Sequence, residues 1–201
     1  MKTFPFTKYI AEILGTFTLV LAVSLSLLGK IGALPTPLLA AIVVGIFVYT
    51  IGAISGAHLN PAVTIGLWSI KKVKVKEAVL YIISQLIGAV AAMMLLAAFA
   101  FDETKVTVQA DFLTLCAEII GTFFLAFGIC SVVYGKVADM ASGIVIGGSL
   151  LLGIVIAAGL GSNGVLNPAV AFGIGSAGPM YLLGPIVGSV AAMQLYRWMA
   201  K

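Results

Sequence analysis

The chain has 201 residues, 62% of them hydrophobic and 9% charged, with a net charge of +4 at pH 7 and a mean hydropathy of +1.21. Soluble domains carry about 25% charged residues, and a folded globule of this size needs a polar exterior that this composition does not supply. A soluble enzyme, a nucleic-acid-binding module and a disordered chain are excluded; what remains is a polytopic membrane protein, whose helix-length apolar runs make the expected fold class all-α.

A helical span needs about 20 apolar residues. The first apolar run, residues 9–29, has 21. That exceeds the roughly 7–15 residues of a cleaved leader, so it reads as the first span. The second run covers 37–53. Residues 61–70 follow as a short apolar piece: a ten-residue helix is about 15 Å long, half of a 30 Å hydrocarbon core. Full-length runs resume at 78–101, 112–134 and 140–160. A second short piece occupies 168–174, and the last span covers 179–199. The expectation is one transmembrane domain over residues 1–201, with six spans and two half-spans. Cys116 and Cys130 both sit inside apolar runs and read as free buried thiols rather than a disulfide.

Six crossings with the N-terminus inside place Lys2, Lys8, Lys71, Lys72, Lys74, Lys76, Lys136, Arg197 and Lys201 on the inner side. Only Lys30 and Lys105 fall outside, nine against two. This bias predicts cytoplasmic termini in a cell membrane. The outer loop holds Asp102, Glu103 and Asp111. The net positive charge is an orientation signal, and no nucleic-acid partner is expected.

The two halves repeat. Ala11-Glu12-Ile13-Leu14-Gly15-Thr16-Phe17 and Ala117-Glu118-Ile119-Ile120-Gly121-Thr122-Phe123 are 106 residues apart, and Asn60-Pro61-Ala62 and Asn167-Pro168-Ala169 are 107 apart. Repeat one then covers about 1–104 and repeat two about 105–201. Three spans per half is odd, so the second half enters from the opposite side, which is an inverted repeat. The half-spans dip in from opposite faces and meet near mid-membrane. Asn is a strong N-cap and Pro suits the first helical position, so each triplet opens a short helix. The free N–H groups there carry partial positive charge. Such irregular backbone is tolerated at depth only inside protein or along a water-filled path.

These residues resemble the aquaporin and aquaglyceroporin family, the major intrinsic proteins. Ser55-Gly56-Ala57-His58-Leu59-Asn60-Pro61-Ala62-Val63-Thr64 is similar to the family's first signature, and Asn163-Gly164-Val165-Leu166-Asn167-Pro168-Ala169 to its second. Gln85-x-x-Gly88-Ala89 and Gly184-Pro185-x-x-Gly188 also match, and the likeness covers essentially the whole chain. It implies an aquaporin-like fold, passive conduction of water and small neutral solutes across the bilayer, and a homotetramer with one pore per subunit. It also implies that Glu12 and Glu118 brace the re-entrant loops by accepting backbone hydrogen bonds. Cation exclusion by paired half-helix ends is an established device of aquaporin-type pores.

The likeness breaks at the outer mouth. Many members carry an arginine three residues after the second Asn; here that place holds Val170. Counting back, the other three wall positions fall on Ala40, Val155 and Gly164. All four are small or aliphatic, so the constriction is expected to be wide and apolar, without a fixed positive charge. An apolar ring also dewets, which opposes the effect of width. Phe47 and Phe172 read as core or lipid-facing rings by default. A mercury-sensitive cysteine of some relatives corresponds to Gly164, so no mercury block is expected there.

His58 is the only histidine. One ligand does not make a metal site; the alternatives are a loop-packing residue at the inner vestibule and a proton shuttle or pH gate. No cofactor is expected. Small residues recur at four-residue spacing in Gly88 and Ala92, Gly143 and Gly147, and Gly188 and Ala192, a pattern that seals helix pairs in lipid. A glycerol-like solute channel is the favoured function. A gas or ammonia conduit is the nearest alternative. A coupled transporter would need further ionisable groups at mid-depth, and an intramembrane enzyme lacks a catalytic constellation.

Overall fold

The computed structural model describes residues 6–101, 108 and 110–201; Lys2, Asp102, Glu103 and Lys105, used above for orientation, lie outside them. The elements are α1 (Thr7–Leu27), α2 (Thr36–Ser55), α3 (Pro61–Ser69), α4 (Val75–Ala98), α5 (Phe112–Val133), a 3-10 turn (Asp139–Ala141), α6 (Ser142–Gly159), α7 (Pro168–Gly173) and α8 (Pro179–Met199). No strand occurs among the described residues. Each predicted span becomes a long helix, and each short apolar piece becomes a short one of 9 or 6 residues.

Helix boundaries follow local chemistry. Proline lies in the first turn of α2, α3, α7 and α8, where its missing N–H has no intrahelical acceptor to lose. Asp111 caps α5 by accepting from the Thr114 backbone N–H at 2.8 Å. That bond holds its carboxyl below the ordinary range. The cap is therefore intact above the ordinary carboxyl pKa and is lost as pH falls through the depressed one. Among the described residues, five helices are long and apolar enough to cross a membrane. The sixth, α8, has spanning length at 21 residues, but Ser189, Gln194, Tyr196 and Arg197 make it the least apolar.

Packing follows the repeat. α1 lies on α4 and α5 lies on α8, while α2 and α6 meet across the centre. Each half-helix packs mainly on the last long helix of the other half, α3 on α8 and α7 on α4. Lipid offers no hydrophobic drive between helices, so close backbone approach has to hold them. A Cβ on Gly88 would lie 2.5 Å from the Ile13 carbonyl oxygen, and one on Gly188 would overlap the Ile119 carbonyl oxygen. Gly143 and Gly147 abut Gly45 and Ala41 of α2 in the same way. Gly188→Val should cost about 1–3 kcal/mol or more through overpacking. A lower melting temperature in detergent is the expected result, and an unchanged one would show that this helix pair is not closely packed.

Cys130 is fully buried and Cys116 half-buried, and both are free. At one end of the bundle, Lys8 at the start of α1 pairs with Glu77 at the start of α4. This end also carries the α3–α4 connection and the last turn of α8, and is called the basic end below.

Candidate functional site

The site begins with backbone that needs support. Ala57, Leu59 and Leu166 have positive φ of 48°, 51° and 55°, a left-handed conformation that costs a side-chain-bearing residue about 1–2 kcal/mol. Two carboxylates compensate. Glu12, fully buried, accepts from the backbone N–H of His58 at 2.9 Å and of Leu59 at 2.8 Å, and from the Ser55 hydroxyl at 2.7 Å. Glu118, equally buried, accepts from the N–H of Val165 at 2.9 Å and of Leu166 at 2.7 Å, and from the Ser162 hydroxyl. Ser55 and Ser162 accept in turn from Ala57 and Gly164. Neither glutamate reaches the headgroups, although Glu12 lies only five residues into α1.

With the loops held, the half-helices face each other. Asn60 Oδ1 accepts from Ala62 N–H at 2.8 Å, and its Nδ2 donates to the Leu166 carbonyl at 2.9 Å. Asn167 Oδ1 accepts from Ala169 N–H at 3.0 Å, and its Nδ2 donates to the Leu59 carbonyl at 2.9 Å. Each asparagine thus caps its own helix and clasps the strained leucine of the other loop. Pro61, Ala62, Pro168 and Ala169 are buried in the first turns.

The braces differ in one respect. Gln85 Nε2 donates to Glu12 at 2.8 Å and to Thr64 Oγ1 at 3.0 Å. Gly88 packs on Ile13 and Gly188 on Ile119, so the place of Gln85 in α4 is taken in α8 by Pro185, which has no donor. Thr64 also meets His58 Nδ1 at 3.1 Å, and the His58 ring stands edge-on to Tyr81, centroids 4.8 Å apart.

Both asparagines line a cavity of about 820 Å³ that runs from Thr36 and Pro37 at one end to Lys72 and Asp139 at the basic end. Ala40, Gly164 and Val170 line the half away from the basic end, and His58 lines the other. Val155 does not belong to this wall. It is 55% exposed on the outside of the bundle, and its neighbour Ile154 lines the cavity instead. One residue turns a helix by about 100°, so counting 12 back from Asn167 missed the phase of α6. Ser142, Ile146, Leu150 and Ile154 form the lining stripe at four-residue spacing, a signal present in the sequence. Phe172 is exposed and Phe47 packs on the core; neither lines the cavity. Ser55 and Ser162 were missed too, although their spacing equals the 107-residue offset of the two asparagines. No group of three or more metal-binding side chains occurs among the described residues.

A profile of the major intrinsic protein family matches residues 1–196. Aquaporin AqpM of Methanothermobacter marburgensis is 34% identical over 176 residues, covering 77% of this chain and 72% of that one. Nodulin-26 of Glycine max is 33% identical over 206 residues, covering 94% and 76%. Among solved structures, the aquaglyceroporin from Plasmodium falciparum matches with a TM-score of 0.72 at 26% identity, covering 94% of both chains. Long apolar helices around two clasped half-helices, a continuous cavity and a match over nearly the whole length agree: this chain belongs to the major intrinsic protein family, a multi-pass membrane channel for water and small solutes and not an enzyme.

Proposed function

We propose that the channel conducts small uncharged solutes of glycerol type together with water, through an outer constriction that is wide and apolar. The observation that supports this is the wall of Ala40, Ile154, Gly164 and Val170. Among the described residues, the only positively charged side chain on the lining is Lys72 at the opposite end, and the rings on it, Tyr49 and His58, lie in that same half. Ile154 is larger than Val155, so the mouth is narrower than the sequence alone suggests, but it stays aliphatic. With no arginine there, cation exclusion rests on the facing N-termini of α3 and α7. Asn60 and Asn167 each have a second amide N–H with which to orient a passing hydroxyl. Glu12 and Glu118 brace the loops, and His58 packs the inner vestibule.

The whole chain acts as one channel domain built from repeats at about 1–104 and 105–201. It sits in a cell membrane with cytoplasmic termini, assembled as a homotetramer. Stopped-flow swelling of reconstituted vesicles tests the solute reading. Water and glycerol permeability should both rise well above that of empty vesicles. Water flux with glycerol and urea excluded would refute the wide mouth. Ammonia flux far above glycerol flux would favour the conduit reading, which the apolar wall also supports.

A further inference from the structure

We propose that the basic end holds the headgroup of an anionic phospholipid at the junction between the α3–α4 connection and the last turn of α8. Lys71 and Lys74 are exposed on that connection, and Lys76 is exposed in the first turn of α4. Arg197, half-buried, lies in the last turn of α8. Of the acidic groups at this end, Glu77 is taken by Lys8, and Asp139 lines the passage with Lys72. Among the described residues, no ion pair engages Lys71, Lys74, Lys76 or Arg197.

A positive bias by itself only orients a membrane chain. What builds a site here is convergence. Gln194 Nε2 donates to the Ser69 carbonyl at 2.9 Å, joining positions 125 residues apart. Three residues beyond Gln194 comes Arg197, and two beyond Ser69 comes Lys71. A second tie runs from Lys72, lying 4.8 Å over the Tyr134 ring, to Tyr196 against the same ring at 5.6 Å. The connection is itself pinned, since Lys71 and Lys72 donate backbone hydrogen bonds to Trp68 and Leu67. The two segments that carry Lys71 and Arg197 are therefore held together.

The apolar setting fits a lipid rather than a free anion. The chain has two tryptophans. They are Trp68 and Trp198, 45% and 70% exposed, one on each of the two joined segments. Tryptophan favours the headgroup level of a bilayer, and clustered Lys and Arg attract anionic lipid there. The opposite end has no counterpart among the described residues: Lys30 is engaged over Phe101 and Asp111 caps α5.

The two tryptophans also report on the site. The full chain is reconstituted in phosphatidylcholine vesicles containing a minor fraction of either brominated phosphatidylglycerol or brominated phosphatidylcholine. Brominated phosphatidylglycerol should quench the tryptophan fluorescence more strongly at equal mole fraction, and high salt should remove the excess. At about fivefold in local affinity per charge, a Lys71→Gln, Lys74→Gln, Arg197→Gln variant should need on the order of tenfold or more phosphatidylglycerol for the same quenching. Lys30→Gln should match wild type. Equal quenching by the two lipids would overturn the proposal, as would an unaltered response of the triple variant. If that variant does not reconstitute, the wild-type salt titration decides, and preference that persists at high salt overturns it.

Discussion

Glu118→Gln is expected to reduce the yield of folded protein sharply and to lower its melting temperature more than Glu12→Gln does. Both oxygens of Glu118 accept, one from Val165 N–H and Ser162, the other from Leu166 N–H. An amide in its place keeps one oxygen and turns an NH₂ toward a buried donor. A buried donor left without an acceptor costs about 1–3 kcal/mol, and the opposed NH₂ is a second such group. The strained Leu166, whose carbonyl receives Asn60, then loses its support as well. At Glu12 the same change meets Gln85, whose Oε1 is buried without a partner. Flipping that amide offers an acceptor to the new NH₂ and recovers part of the loss. Pro185 offers nothing equivalent to Glu118. Melting temperatures of the two variants in one detergent check the ranking. Equal losses would mean that Gln85 does not adapt, and wild-type values in both would mean that the carboxylates do not hold the loops.

How much of this could be read beforehand depends on the range of the interaction. The spans were legible because a bilayer demands about 20 apolar residues in a row, and the half-helices because Pro61–Ser69 and Pro168–Gly173 are too short for that demand. Glu12 and Glu118 stood out as charges in apolar runs at equivalent places. The clasp itself was not legible. Asparagine chemistry allowed a cap and a free donor, but that Asn60 reaches Leu166 and Asn167 reaches Leu59 depends on how two loops over a hundred residues apart are brought together. The Gln85 to Thr64 tie is also purely tertiary, and its asymmetry appears only once α4 and α8 are seen to pack alike. The Val155 error has another origin. Counting from the second asparagine assumes a fixed loop length between α6 and α7, while the wall is selected by the rotation of α6. The stripe ending at Ile154 carried that rotation, and the count did not use it.

That correction carries the second large effect. Ile154→Phe should reduce glycerol permeability by about tenfold or more, equivalent to about 1.4 kcal/mol of added barrier, with a smaller loss for water. Val155→Phe should leave both unchanged. A Cβ on Gly164 would stand 2.8 Å from the Ile154 carbonyl oxygen and 3.1 Å from its Cγ2, so the loop already presses on Ile154, and both residues line the passage that an added ring would narrow. A ring at Val155 extends from the exposed side of α6, where an apolar group is in its proper solvent. Both substitutions add similar volume one residue apart, so a difference in flux reports the face of the helix rather than bulk. Vesicle swelling with matched amounts of reconstituted protein provides the measurement. Selective loss in the Val155 variant would return that residue to the wall, while equal wild-type flux in both would place the narrowest point elsewhere along the passage.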